Sequence, residues 1–384
     1  MIRTINKNYV QGGGTLPKNQ TLFIQEAIYE LGRKLGFISA TEHISLPSSE
    51  CYAPKYDVVW YFDTEKYFNI DALKPLFSDN PVMLDRIRKL PFAGFEIEGS
   101  TTSSKNQLSN FANLYCGDYL FNFVIVNNDA AVKENDTYRR GLKLHRYFTS
   151  MCGYRNTFFA DWTHISRSIE NLKTNKDDIF PSTSEIRTTK RSTYGGEVAS
   201  VEMYEKIVPY ISNSGMEIRQ NYAPDKAQWE FMLNQHVYNN LESSSEIADF
   251  YLLQKTFVSP DFKQVRKSSK PVDSYYIPKL DVVSGFNSPR SFIKWMKALA
   301  SELNNDVVNF PMLFAILNGT VQNLFLPIIS IEIESSINKH MNGGILNMAK
   351  NSFCGILVTK SDAKPHLEFF KNKLNCNNIV LHEV

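Results

Sequence analysis

The sequence predicts an α/β fold with two domains, each built on a mixed central sheet flanked by helices. The chain has 384 residues, enough for two domains of ordinary size. Helical and strand-like apolar patterns alternate along it. The second half also repeats a pattern of the first. Y-A-P-K-Y-D-V-V at 52–59 and F-E-I-E-G-S at 95–100 return as Y-I-P-K-L-D-V-V at 276–283 and I-E-I-E-S-S at 331–336.

The first half begins with a predicted helix over 20–36, because Ile24, Ile28 and Leu31 have helical spacing and Gly36 is a natural helix end. An irregular helical region broken by Pro81 is predicted between the second and third strands. The apolar and β-branched runs predict strands at 37–44, 57–62, 92–98, 119–126 and 156–162, with helices over 103–115 and 139–151.

The second half is predicted to follow the same order. A helix is expected after Pro224, and a strand then begins near Asp281. Ser288 and Pro289 are a natural N-cap and first residue for the next helix. Further strands are predicted at 326–334 and 354–359, with a helix over 345–350 between them and a final helix after them.

The predicted domain boundaries follow from changes in composition. Residues 1–18 are expected to form a flexible N-terminus, 19–172 the first domain, and 216–384 the second. Residues 173–215 contain a stretch rich in hydroxyls, charges and turn-forming residues, which predicts a linker or exposed loop.

Charge and cysteine content exclude several classes of protein. A net charge of +2 excludes a polybasic protein but allows an acidic active site within a locally basic cleft. The five cysteines have no C-x-x-C spacing, which favours a reducing cytoplasm over a disulfide framework or a zinc site. No apolar run approaches the length of a membrane span, and the polar N-terminus does not resemble a signal peptide.

The repeated acids predict two metal sites. Residues i and i+2 of a strand point to the same face, so Glu96 and Glu98 are expected to project together. If the Asp57 strand pairs with their strand, all three carboxylates meet and raise one another's pKa. The same holds for a second set, Asp281, Glu332 and Glu334. The alternatives for a single E-x-E strand are a solvated edge pair or half of a salt-bridge ladder, and the repetition favours the metal site.

Oxygen ligands without histidine or cysteine favour Mg²⁺, with Mn²⁺ as a substitute. Such a site can activate water and neutralise charge on a phosphate, which points to phosphodiester hydrolysis. The scattered histidines have no ligand spacing, and none is assigned to chemistry.

These residues resemble the PD-(D/E)XK nuclease superfamily, and most of all type II restriction endonucleases in which the closing lysine is replaced by glutamate. The resemblance covers residues 20–165 and, more faintly, 225–384. It implies two restriction-endonuclease-like domains with an Asp…Glu-x-Glu site in each. It further implies a magnesium-dependent endodeoxyribonuclease acting on double-stranded DNA, as a monomer with two sites or as a homodimer.

Further residues follow from the same resemblance. The acidic residue of the family's lead-in helix would be Glu26 or Glu30 in the first half and Glu230 in the second. Lys105 and Lys339 follow the two Glu-Ile-Glu motifs and could supply a displaced ammonium, although solvated helix lysines are the alternative.

Two basic segments are candidates for phosphate contacts. The first contains Arg139, Arg140 and Lys143 on a predicted helix, and the second contains Arg187, Lys190 and Arg191 in the predicted linker. A solvated helix face and a solvated connector are the respective alternatives. Two further hypotheses remain: one active half with a degenerate DNA-binding or dimerisation copy, and a non-catalytic nucleic-acid-binding protein.

Overall fold

The architecture is α/β, with two mixed five-stranded sheets flanked by helices, as the sequence predicts. The structure, a computed structural model, describes residues 20–44, 55–99, 102–116, 119–127, 136–150, 157–173, 198–222, 280–303, 324–334 and 341–384.

Each sheet is formed by one half of the chain. The first half contains α1 (Gln20–Lys34), β1 (Ile38–Ile44), β2 (Lys55–Asp63), 3-10 segments at Thr64–Lys66 and Ile70–Phe77, α2 (Pro81–Arg88), β3 (Lys89–Glu98), α3 (Ser104–Cys116), β4 (Phe121–Val126), α4 (Asp136–Ser150), β5 (Thr157–Asp161) and α5 (Trp162–Glu170). The second half contains α6 (Val198–Ser214), β6 (Glu217–Tyr222), β7 (Leu280–Asn287), α7 (Arg290–Leu303), β8 (Phe325–Glu334), α8 (Met341–Asn351), β9 (Cys354–Thr359), α9 (Lys364–Lys373) and β10 (Ile379–Glu383).

The two sheets have the same topology. The first three strands of each half pair antiparallel, and the last three pair parallel, in the spatial orders β1-β2-β3-β4-β5 and β10-β9-β8-β7-β6. The repetition that the sequence indicates in two short motifs therefore extends over both sheets.

The register repeats as well. Val58 pairs with Phe95 in the first sheet, and Val282 pairs with Ile331 in the second. Each ladder has an irregularity three residues after the aspartate, between Trp60 and Tyr61 and between Ser284 and Gly285. A β-carbon at Gly285 would lie 2.0 Å from the Leu326 carbonyl oxygen, so only glycine allows this close approach.

The first helix of the second half lies within the predicted linker, which corrects that boundary. Helix α6 covers Val198–Ser214 and directly precedes β6. Gly215, with φ 79°, follows this helix, and Gly36, with φ 94°, follows α1 in the same way. Met203, Ile207 and Ile211 are buried at helical spacing. The helix predicted after Pro224 falls outside the described residues, as do 1–18 and 174–197.

Pro81 also has a different role from the predicted one. It is the first residue of helix α2 and does not interrupt a helix. The Asn80 side chain caps the first turn of α2 by accepting from the Met83 N–H at 3.1 Å. Proline is tolerated at the first helical position because its missing N–H would have no partner in the helix.

Helix α7 belongs to the second half in sequence but packs on the first sheet. Its Phe292 ring lies 4.6 Å from Phe121, and its Trp295 ring lies 5.4 Å from Trp60. The Trp295 indole also donates to the Ser168 hydroxyl at 3.1 Å. Buried residues of both sheets form one contiguous hydrophobic cluster, and a smaller second cluster lies under α8 and α9. The two halves therefore share a core.

The halves meet through equivalent residues. Phe62 and Phe286 each lie five positions after the aspartate of their own half, and their rings stack on each other at 5.1 Å. A residue in contact with its own counterpart is the pattern of a two-fold axis. In the same region the Asn69 N–H donates to the Ser214 carbonyl oxygen at 2.9 Å and joins the first half to α6. Among the described helices, none is long and apolar enough to span a membrane.

Candidate metal centres

The first acid cluster consists of Asp57, Glu96 and Glu98. The predicted pairing of their strands, β2 and β3, is confirmed. An oxygen of Asp57 (Oδ2) accepts a hydrogen bond from the backbone N–H of Ile97 at 2.7 Å, so the aspartate lies beside the residue between the two glutamates.

The second acid cluster consists of Asp281, Glu332 and Glu334. As in the first cluster, the aspartate accepts from the backbone N–H of the residue between the two glutamates. Asp281 Oδ2 accepts from the Ile333 N–H at 3.3 Å, and the Asp281 N–H donates to Glu332 Oε1 at 3.2 Å. The predicted meeting of acids from two strands therefore occurs in both halves.

Burial raises the pKa of one glutamate in each cluster. Removal from water raises the pKa of Glu98 to about 7, with a smaller contribution from the negative charge of Asp57. Burial, and next the charge of Asp281, raise the pKa of Glu332 well above its ordinary value. Each cluster therefore contains a glutamate that takes up a proton more readily than an isolated glutamate, as expected for buried, crowded carboxylates.

Three carboxamide side chains donate to the first acid cluster. Gln25 Nε2 lies 2.9 Å from Asp57 Oδ1. Asn110 Nδ2 lies 3.2 Å from Glu98 Oε1, and Asn113 Nδ2 lies 3.4 Å from Glu96 Oε1. The sequence analysis missed all three. The only available signal was the i, i+3 spacing of the two asparagines, which places them on one face of α3.

A glycine occupies the corresponding place beside the second acid cluster. A β-carbon on Gly344 would lie 3.6 Å from Glu334 Oε1 and 3.8 Å from Glu332 Oε2. Gly344 immediately precedes the buried Ile345 on α8, as Asn110 precedes the buried Phe111 on α3. The two positions are therefore comparable along their helices, and Gly344 itself has no side-chain amide.

The donor chemistry of both clusters suits a hard divalent cation, because every candidate ligand is a carboxylate oxygen. Glu98 Oε2 is buried and has no hydrogen-bond partner within the described part of the chain. In the described ranges, no group of three or more His, Cys, Asp and Glu side chains is arranged to hold a metal. Mg²⁺ usually keeps several waters and takes only one or two carboxylates.

The predicted auxiliary residues lie away from these contacts. Glu26 and Glu30 are exposed on α1, where Glu30 forms an ion pair with Arg33 at 3.5 Å. The residue of α1 that contacts an acid is Gln25, because the helix turns its buried face towards β2. Lys105 is exposed on α3. Glu230 and Lys339 lie outside the described residues.

The predicted phosphate-contacting residues divide into two groups. Arg139 and Lys143 are exposed on α4. Arg140 instead donates to the Thr102 carbonyl oxygen at 2.7 Å and to Gln107 Oε1 at 3.4 Å, which ties α4 to α3. Its positive charge also acts to lower the pKa of Glu98. The remaining three, Arg187, Lys190 and Arg191, lie in a segment that the structure does not describe.

No protein-family model matches this sequence, and neither a curated protein nor a solved structure is significantly similar to it.

The raised pKa of Glu98 predicts a pH-dependent stability. As pH rises from about 4.5 to about 7, the unfolded chain loses the Glu98 proton before the folded chain does. The free energy of unfolding should therefore fall by up to ~3 kcal/mol over this interval and level off above it. Glu98→Gln, which mimics the protonated acid, should remove this fall. Urea denaturation of both proteins at several pH values measures it, and parallel stability curves would contradict the raised pKa.

Proposed function

We propose that this protein is a magnesium-dependent endodeoxyribonuclease, built from two restriction-endonuclease-like units in one chain. We further propose that it is a sequence-specific restriction enzyme of the type II class. The observation that carries the proposal is the acid arrangement repeated in three dimensions. In both halves an aspartate on the second strand accepts from the backbone N–H between two glutamates on the third strand.

The raised pKa values of two of the acids support cation binding. Glu98 and Glu332 have raised pKa values because their charges are poorly solvated and lie near another carboxylate. A divalent cation at such a site would activate a water molecule and neutralise charge on the phosphate. Within the protein, the Ile97 and Ile333 N–H groups hold the two aspartates, which orients their carboxylates towards the flanking glutamates.

The nuclease superfamily that this chain resembles has a lysine where this protein has Glu98 and Glu334, so no ammonium group comes from these two positions. Glu98 and Glu334 bring no positive charge to the attacking water, and Lys105 is exposed on α3. We therefore propose that the protein's share of the chemistry is to hold the cation, which would itself activate the attacking water.

The internal two-fold relation supports a duplex substrate. The backbones of double-stranded DNA are themselves related by two-fold symmetry, and dimeric DNA-binding proteins commonly match it. Here the Phe62–Phe286 contact relates the two halves of one chain. The exposed Arg139 and Lys143 offer charges for phosphate contacts. A DNA substrate also agrees with the cytoplasmic location that cysteine usage predicts.

Digestion of mixed-sequence genomic DNA tests the function. We expect discrete fragments in Mg²⁺ or Mn²⁺ and intact DNA in EDTA, because the carboxylates need the cation to engage a phosphate. Discrete bands would also report the recognition sequence. Binding of DNA without any cleavage, over a range of sequences and divalent cations, would refute the nuclease proposal and favour a non-catalytic nucleic-acid-binding protein.

A further inference from the structure

The helices that cover the two acid clusters share a short sequence pattern. Helix α3 contains F-A-N-L at 111–114, and α8 contains I-L-N-M at 345–348. In each stretch the first and last residues are fully buried, and the asparagine before the last residue is partly exposed. Asn113 and Asn347 therefore occupy comparable positions on their helices.

In the first half this asparagine reaches an acid. Asn113 Nδ2 donates to Glu96 Oε1 at 3.4 Å, and Asn110 Nδ2, one turn earlier, donates to Glu98 Oε1 at 3.2 Å. The later helix residue therefore faces the earlier strand residue. This order follows from the topology, because α3 connects two parallel strands, β3 and β4, and so runs in the opposite direction to them.

Helix α8 has the same relation to the second acid cluster. It connects the parallel strands β8 and β9 and packs against β8. A β-carbon on Gly344 would lie 3.6 Å from Glu334 Oε1 and 3.7 Å from Glu332 Cγ, so this face of the helix lies over both glutamates. Asn347 comes one turn after Gly344, and the opposed directions of helix and strand put that turn on the Glu332 side.

A carboxamide beside a glutamate has a defined effect on a cation site. Its N–H group donates to one carboxylate oxygen and fixes the orientation of the acid. A carboxylate has about four acceptor sites on its two oxygens, so one amide leaves room for a cation. A glutamate that is already held in place also loses less side-chain entropy when it binds an ion.

We propose that Asn113 and Asn347 are positioning residues, and that each holds the first glutamate of its acid cluster, Glu96 or Glu332, for the cation. The repeated unit then consists of an aspartate, two glutamates and an asparagine from the following helix. This inference rests on the proposed metal-dependent function and adds a residue that acts through the glutamate.

Binding of Mn²⁺ to the full-length protein without DNA tests this role, with the free ion measured by electron paramagnetic resonance. We expect two bound ions per chain. Asn113→Ala should weaken one of them about 10- to 100-fold, Asn347→Ala should weaken the other, and the double variant should weaken both. Unchanged binding in both single variants, no bound Mn²⁺ in the wild-type protein, or an effect of only one substitution would overturn the shared role.

Two matched substitutions separate positioning from helix stability. Asn106→Ala on α3 and Asn372→Ala on α9 remove the same amide from exposed positions and should leave Mn²⁺ binding unchanged. Alanine is a better helix former than asparagine, so Asn113→Ala and Asn347→Ala should unfold in EDTA at a urea concentration close to that of the wild-type protein. An equal loss of Mn²⁺ affinity in the controls, or partial unfolding of the two variants in EDTA, would contradict the positioning role.

Cleavage of plasmid by the double variant separates this inference from the proposed function. We expect the Mn²⁺ concentration for half-maximal cleavage to rise at least about tenfold, while the maximal rate at saturating Mn²⁺ stays near that of the wild-type protein, because the carboxylate ligands are intact. Mn²⁺ affinities that fall as expected in a protein that cuts no DNA would keep the positioning role and overturn the nuclease. Cleavage with the Mn²⁺ dependence of the wild-type protein would keep the nuclease and overturn the positioning role.

Discussion

Trp295→Ala is expected to lower the free energy of unfolding by about 3–5 kcal/mol, the range for removal of a fully buried large aromatic side chain. The side chain is 0% exposed and packs between Trp60 and Phe123, with ring distances of 5.4 and 5.3 Å. Its indole also donates to Ser168, and the loss of this bond leaves a buried hydroxyl without its donor.

The informative feature is where the destabilisation occurs. Trp295 belongs to the second half of the sequence, but its contacts are in the first sheet, so both halves should unfold in one transition at lower urea concentration. Urea denaturation followed by tryptophan fluorescence and circular dichroism measures this. Phe369→Ala is the control, because Phe369 is 56% exposed and should cost little. Two separate transitions, with the first half unaffected, would contradict the shared core.

Glu332→Gln is expected to slow DNA cleavage by at least about 100-fold, because a lost carboxylate ligand removes several kcal/mol of charge stabilisation. Glutamine has nearly the same shape and can still accept from the Asp281 N–H, so the fold should persist. The assay is cleavage of supercoiled plasmid in Mg²⁺, with open-circular and linear products quantified over time.

The products distinguish one cutting site from two. If only the second acid cluster cuts, Glu332→Gln leaves the plasmid supercoiled. If both clusters cut, the variant nicks one strand and open circles accumulate. Glu368→Gln provides a matched control, because Glu368 is an exposed acid of the same half on α9. Normal linearisation by Glu332→Gln would show that the second cluster is not needed for cleavage.

Strand pairs and acid positions could be predicted because they depend on local periodicity. The apolar runs at 57–62, 92–98, 119–126 and 354–359 overlap strands β2, β3, β4 and β9. The repeated motifs place the acids at the same register in both halves. A strand brings residues i and i+2 to one face whatever the rest of the fold does. This is why two short motifs sufficed to predict both clusters.

Helix α6 was missed because its signals conflict. A hydroxyl-rich stretch precedes it and Pro209 lies inside it, both of which favour an irregular segment. The buried spacing of Met203, Ile207 and Ile211 is helical, and packing on the 3-10 segment Ile70–Phe77 stabilises it. Tertiary contacts supply most helical stability in proteins, so such contacts can outweigh an unfavourable local composition.

The sequence by itself determined that each half has an aspartate and two glutamates on neighbouring strands, since backbone periodicity and a repeated motif require nothing from distant residues. Only the tertiary structure decided what covers those acids and which core each helix joins. Asn110 and Gly344 are unremarkable helix residues until α3 and α8 lie against the sheets. The amphipathic pattern of α7 likewise suits either sheet, and long-range packing places Trp295 in the first.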